Sequence, residues 1–308
     1  MGSPDFAVPS LKKLITCDKT DVKAVISQPD RKKGRGQKLR STPVKKEAEK
    51  NGITVLTSEN VNKELFIDSL KDIDPEAIVV VAFGQKLNKQ ILELPKFGCI
   101  NLHASLLPKY RGASPIHRAI INGDKVSGIS TMYMDEALDK GDIIYKSKIE
   151  IAEDDTVGDL HDKLAEKGAD LLVKTLIDLK KGEAPRIEQD DEDASYAPKI
   201  DKSLGEINWT LTAEEIYNLV RGVNPWPGAY TYLDDKLLKI WQVSIEDKSK
   251  DNNPAGKIIS ASEKEGFIVQ TGKGTIKIEK LQLAGKKRMD SASFLRGYDL
   301  EKGLILDD

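Results

Sequence analysis

The sequence predicts an α/β protein: a Rossmann-like, mostly parallel sheet domain over the first two-thirds, then a smaller β-barrel domain. Three observations carry this. Compact apolar runs at residues 22–27 and 77–83 are of the kind shown by parallel strands covered on both faces. Between them, residues 58–72 space Val61, Leu65, Ile67 and Leu70 at roughly helical intervals. Beyond residue 230 the helical period gives way to short apolar runs parted by Gly- and Asp-rich turns.

Taken in order, strand, helix and strand argue for parallel winding. Ser114-Pro115 supplies an N-cap and a first-turn proline for a helix that Gly123 ends. Thr156-Val157-Gly158-Asp159 approximates a capping box and opens a long helix reaching residue 181. The pattern then breaks into a Pro-containing stretch ending in Glu188-Gln189-Asp190-Asp191-Glu192-Asp193, which reads as a solvated linker. Thr212-Ala213-Glu214-Glu215 opens one more short helix, and strand-like runs follow at 237–243, 256–259, 266–271 and 275–283. The expected division is residues 1–182, a linker at 183–205, and 206–308.

A chain of 308 residues accommodates two domains with ordinary cores. Apolar content of 39% and charged content of 32% describe a soluble chain, and a net charge of −2 means that any nucleic-acid site must be a local patch. Cys17 and Cys99 alone make neither a disulfide framework nor a metal cage, and His103, His117 and His161 form no visible cluster, so no metal is expected. No apolar stretch approaches membrane-spanning length and no signal peptide opens the chain; the expectation is a cytoplasmic protein with no membrane partner. No Gly-x-Gly-x-x-Gly follows a strand, which argues against a nucleotide-dependent oxidoreductase.

Asn101-Leu102-His103 stands at the end of a short apolar run. Residues two apart in a strand point to one face, and the C-terminal ends of strands are where open α/β sheets place ligands. An amide beside an imidazole suits a carbonyl becoming tetrahedral: one stabilises the oxyanion, the other donates a hydrogen bond or moves a proton. On the tripeptide alone, a plain strand cap takes precedence. Phe83-Gly84 ends the earlier apolar run, and its glycine either permits close ligand approach or simply terminates the strand. The stretch Arg31-Lys32-Lys33-Gly34-Arg35-Gly36-Gln37-Lys38-Leu39-Arg40 holds six basic residues and no acid, a composition suited to phosphates or to mere solvation.

The run Ser105-Leu106-Leu107-Pro108-Lys109-Tyr110-Arg111-Gly112-Ala113-Ser114-Pro115 resembles the signature loop of the folate-dependent formyltransferases. Leu138-Asp139-Lys140-Gly141-Asp142-Ile143 is similar to that family's second catalytic segment. So are Met1-Gly2-Ser3-Pro4-Asp5-Phe6-Ala7-Val8-Pro9, Gln28-Pro29-Asp30-Arg31 and Asn224-Pro225-Trp226-Pro227-Gly228-Ala229 to further landmarks of it. The resemblance spans nearly the whole chain and points to the branch that formylates methionyl-initiator tRNA.

It implies a catalytic domain followed by an OB-like, tRNA-binding barrel. It also implies 10-formyltetrahydrofolate as formyl donor, no metal, and a monomer taking part in translation initiation. Asn101, His103 and Asp142 are the implied catalytic residues. Ser105, Leu106, Leu107 and Pro108, with Phe83 and Gly84, are the implied folate pocket. Arg31, Lys32, Lys33, Arg35, Lys38 and Arg40 match the loop that grips the tRNA acceptor end. His117 reads as structural and His161 carries no role. A formyltransferase acting on glycinamide ribonucleotide lacks a C-terminal barrel, whereas one acting on a sugar nucleotide or another amine, or a tRNA-binding homologue without catalysis, stays open as an alternative.

The resemblance further puts an apolar strand ahead of Gly2-Ser3-Pro4, central in the sheet beside residues 22–27. A sheet without it leaves unpaired backbone groups and an exposed apolar edge. The expectation is therefore about six to ten apolar residues, one strand's worth, in frame upstream of Met1, or else a less stable protein.

Overall fold

The computed structural model describes residues 1–33, 36–249 and 253–306, and the chain divides into two compact units. The first comprises Met1–Pro115, Val126–Glu150 and His161–Ala197; the second comprises Ile116–Lys125, Ile151–Leu160 and Pro198–Asp308.

The chain begins with α1 (Val8–Thr16), β1 (Val25–Ser27), the hairpin of β2 (Arg31–Lys33) and β3 (Lys38–Arg40), and α2 (Pro43–Lys50). Thr42 caps α2 by accepting from the Lys45 N–H at 3.1 Å. β4 (Val55–Thr57), α3 (Glu64–Ile73), β5 (Ile78–Val80), α4 (Lys89–Leu92), β6 (Cys99–His103) and β7 (Arg111–Gly112) follow. Next come α5 (Pro115–Ile121), β8 (Val126–Tyr133), β9 (Ile143–Glu150), α6 (Val157–Lys181) and β10 (Tyr196–Ala197).

β1 pairs parallel with β4, and β5 parallel with β6, as the apolar runs predict. β8 and β9 then extend β6 antiparallel, giving the order β5-β6-β8-β9. Their connection, residues 134–142, contains no crossover helix, and antiparallel pairing is what so direct a return allows. Ile100, Ile129 and Ile144 are fully buried along these strands.

β1 and β5 do not pair with each other; residues 1 and 2 lie between their ends. At one end of the gap the Gly2 N–H donates to the Ile26 carbonyl at 3.0 Å and the Val81 N–H donates to the Met1 carbonyl at 2.9 Å. Residues 1 and 2 thus bridge both edges, and a Cβ at Gly2 would press on Ala7 and the Val81 carbonyl at 2.9 Å. The rest of the gap is a cavity of about 610 Å³ lined by Leu14, Val25, Leu70, Ile78 and Val79 among others.

In the second unit, α7 (Ala213–Gly222) opens on a reciprocal capping box between Thr212 and Glu215, the signal read from the sequence. The strands β11 (Ala229–Leu233), β12 (Lys236–Asp247), β13 (Ile258–Ser262), β14 (Gly266–Gln270), β15 (Thr275–Leu283) and β16 (Met289–Asp290) precede α8 (Ser291–Gly297). They form one antiparallel sheet, ordered β11-β12-β15-β14-β13 with β16 on β15. Ile276, Ile278, Leu281 and Leu283 face the core from β15. Their alternation slips by one residue where a bulge lies opposite at Ile240/Gln242, and such bulges bend a small sheet around its core. Ile216 and Leu219 of α7 pack into the same core.

Candidate active site

β6 delivers Asn101 and His103 side by side at its C-terminal end, in register with Met132 and Ser130 of β8. The His103 ring is buried, and its Nε2 lies 2.9 Å from the Tyr110 carbonyl. A carbonyl only accepts, so Nε2 carries the proton and Nδ1 is the nitrogen left facing the site.

The carboxylate that meets this pair is Asp139. Its Oδ1 lies 3.4 Å from Asn101 Nδ2 and 3.7 Å from His103 Nδ1, while its Oδ2 accepts from the Gly112 N–H at 2.8 Å. Asp139 sits in the 134–142 loop with φ +53°, a left-handed conformation that aspartate tolerates better than most residues. Two residues on, a Cβ at Gly141 would overlap the Tyr133 carbonyl oxygen, so only glycine lets the loop lie this close to β8.

Asp142, the carboxylate expected from the sequence, is not part of this group. It ends the loop where β9 begins, its carbonyl accepts from the Tyr133 N–H at 2.9 Å, and its carboxylate faces Arg186 at 3.8 Å. The difference in placement has a physical reason. A loop imposes no fixed period on side-chain direction, so spacing does not say which of two aspartates three residues apart turns inward. The one local hint is the tolerance of Asp139 for a left-handed turn before Lys140-Gly141.

The loop after β6 is held firmly. Ser130 Oγ donates to the Ser105 carbonyl at 2.7 Å and accepts from the Leu107 N–H at 3.1 Å, and Ser105 Oγ donates to the Lys109 carbonyl at 2.6 Å. Leu107 is fully buried against Met132 and Ile143, and Leu106 lies over Gly128, so these side chains shape the loop from behind while Pro108 follows them. Phe83 is buried with Val61 and Leu87, and Gly84 adopts φ +80° just past β5, at the same end of the sheet as Asn101 and His103.

The acidic stretch is more than a solvated linker. Glu188, Asp190, Glu192 and Asp193 are exposed, but Gln189 is buried and Asp191 pairs with the buried Arg111 at 2.6 Å and with Lys140 at 2.9 Å. The Arg111 guanidinium, and after it the Lys140 ammonium, hold the Asp191 carboxyl below the usual carboxylate range. β10 then pairs parallel with β7, so residues 189–197 wall one side of the site. The contacts to Arg111 span some 80 positions in sequence, and no local pattern announces them.

The basic stretch is a β-hairpin. Arg31 faces Arg40 across it and Lys33 faces Lys38. Arg31, Lys32, Lys38 and Arg40 are exposed; Arg35, and the side chain of Lys33, lie outside the described residues. His117 Nε2 lies 3.3 Å from the Trp226 carbonyl and His161 pairs with Asp162 at 2.8 Å, so neither joins the Asn101–His103–Asp139 group.

The family pattern described as formyl transferase matches residues 1–176, and that of the formyl transferase C-terminal domain matches residues 199–299. The chain belongs to the formyl transferase family. It is 60% identical to the methionyl-tRNA formyltransferase of Halothermothrix orenii, covering 98% of this chain and 97% of that one. It is 48% identical to the same enzyme of Alkaliphilus metalliredigens, covering 100% and 97%. Among solved structures it superposes on a sugar 3N-formyl transferase, WlaRD, at TM-score 0.66 with 22% identity, covering 93% of this chain and 97% of that one. The methionyl-tRNA formyltransferase of Clostridium thermocellum superposes at TM-score 0.50 with 22% identity, covering 66% and 87%. At that identity the structures share the fold.

Proposed function

We propose that this protein transfers the formyl group of 10-formyltetrahydrofolate to the α-amino group of methionyl-initiator tRNA, and that Asn101, His103 and Asp139 carry the chemistry. The observation that carries the reading is the convergence of these three side chains on one point. The neutral amine attacks the formyl carbon, and the carbonyl electrons move to oxygen. Asn101 Nδ2 and His103, through Nδ1 when protonated, donate to that oxyanion. Asp139 Oδ1 stands beyond ordinary hydrogen-bond length from both, which leaves it open to a substrate proton. It takes the proton of the new ammonium and passes it to N10, the C–N10 bond breaks, and the carbonyl reforms. The loop of Ser105, Leu106, Leu107 and Pro108, with Phe83 and Gly84, is the wall against which the folate is held.

The hairpin carries the tRNA side of the reading. Like charges opposed across strands destabilise a hairpin, and the Arg31–Arg40 pair, with exposed Lys32 and Lys38 beside it, favours a polyanion as neutralising partner. In the second unit, Arg288 lies 3.7 Å over the Trp241 ring and Lys239 5.3 Å from it, a basic and aromatic surface suited to the same ligand. The high identity to methionyl-tRNA formyltransferases over full length supports this acceptor above a sugar amine. We read the protein as a cytoplasmic monomer; its sedimentation with and without tRNA checks that.

The test is to supply 10-formyltetrahydrofolate with either charged initiator tRNA or a dTDP-linked amino sugar. Formylmethionyl-tRNA formed at a far higher kcat/KM than formylated sugar is expected. The reverse order overturns the acceptor.

A further inference from the structure

We infer that Gln189, in the acidic stretch, is a positioning residue that sets Asp139 against Asn101 and His103. The inference rests on the catalytic reading of Asp139 given above. Gln189 is a buried amide with every polar atom engaged. Its Oε1 accepts from Arg111 Nε at 3.1 Å and Nη2 at 3.0 Å; its Nε2 donates to the Asp139 carbonyl at 2.9 Å and to the Gly141 carbonyl at 2.7 Å. Only one orientation of the amide serves both sides, since guanidinium groups donate and carbonyls accept.

The geometry makes Arg111-Gly112 a two-handed clamp. The Gly112 N–H holds the Asp139 carboxylate directly, and the Arg111 side chain holds the Asp139 backbone through Gln189. Arg111 is itself 1% exposed and tied at its outer edge to Asp191, which Lys140 also contacts. A residue at φ +53° in a loop without helix or ladder bonds needs such external anchoring to keep one side-chain direction. Displacing a carboxylate by about 1 Å from a proton in flight is enough to cost two orders of magnitude in rate.

Gln189→Glu is the discriminating change, because it keeps an acceptor for Arg111 and removes both donors to the loop. The expected result is a kcat at least 30-fold lower with KM for folate and tRNA within threefold, and an unchanged near-ultraviolet circular dichroism spectrum. The double variant with Asp139→Asn should be no slower than Asp139→Asn alone, since Gln189 acts through that residue. Gln189→Met, of similar length and without polar atoms, takes the place of Gln189→Glu in the same cycle if the latter does not fold. A single variant that keeps more than a third of wild-type kcat, or losses that multiply in the double variant, overturns the inference. An Asp139→Asn enzyme with normal turnover instead sinks the catalytic reading of Asp139, a separate failure.

Discussion

Replacing Asp139 by asparagine should separate the two aspartates of the 134–142 loop. Asparagine is isosteric and its Oδ1 still accepts from the Gly112 N–H, now at 2.8 Å to the carboxylate, so the loop keeps its place. What changes is the oxygen that lies 3.4 Å from Asn101 Nδ2 and 3.7 Å from His103 Nδ1, which becomes an NH₂ facing two nitrogens and unable to take a proton. Loss of a general base lowers rate by about 10²–10⁴, or roughly 3–5 kcal/mol of barrier. Asp142→Asn, by contrast, removes a half-exposed carboxylate 3.8 Å from an exposed arginine, a pair worth about 0–1 kcal/mol to stability and nothing to the reaction. Single-turnover formylation, with enzyme in excess over charged initiator tRNA and folate saturating, measures the chemical step for both. Asp139→Asn should fall by at least 100-fold and Asp142→Asn by less than threefold. A full-speed Asp139→Asn enzyme, or an Asp142→Asn enzyme crippled without loss of folding, would refute the assignment.

Asn101→Ala and His103→Ala should each lower kcat by about 10²–10³, the usual worth of an oxyanion donor, while filter binding of tRNA stays near normal. Alanine at Arg31, Lys32, Lys38 and Arg40 should raise the tRNA KM and flatten the log–log salt slope by roughly 0.7–0.9 for each lost phosphate contact; an unaltered slope would reduce the hairpin to a solvated ornament. Burial pushes the Cys99 thiol from 9.0 up to about 12, so an aromatic disulfide reagent should titrate Cys17 alone in the folded protein and both thiols after denaturation. Because the folded state keeps that proton after the unfolded chain has lost it, this group's contribution to stability should fall as pH rises from 9.0 towards 12, which alkaline thermal melts on wild type and Cys99→Ala will show.

What the sequence disclosed follows the range of the interactions involved. Asn101 and His103 were legible because a strand alternates side-chain direction, and the Thr212–Glu215 cap because its partners lie three residues apart. The parallel pairs showed in their apolar runs. β8 and β9 were hidden, since β9 buries only its first residues fully and otherwise alternates with exposed Lys146, Lys148 and Glu150. That Asp139 and not Asp142 turns towards Asn101 and His103 was not legible, because loop geometry, fixed here by Gly112, Gln189 and the space under Gly141, has no period to read. Gln189 and Asp191 looked like solvated charge because their partner Arg111 is far away in sequence and wholly buried. Local physics is written in neighbouring residues; the clamp on the Asp139 carboxylate is written in residues that only folding brings together.

The interleaving of the two units decides how the protein can be taken apart. Residues 116–125 and 151–160 belong to the second unit although segments of the first unit follow each of them in the chain. Ile121 packs on the core that α7 and the β-sheet share, Tyr217 donates to the Glu153 carbonyl at 2.8 Å, and buried Arg221 donates to the Asp155 carbonyl at 3.2 Å. A single cut anywhere after residue 182 therefore does not yield two whole pieces. The amino-terminal fragment would carry two orphaned segments with apolar and polar groups stripped of their partners, and the carboxyl-terminal fragment would lose part of its own wall. A split or a swap at that junction keeps the second unit whole only if it carries both inserted segments along.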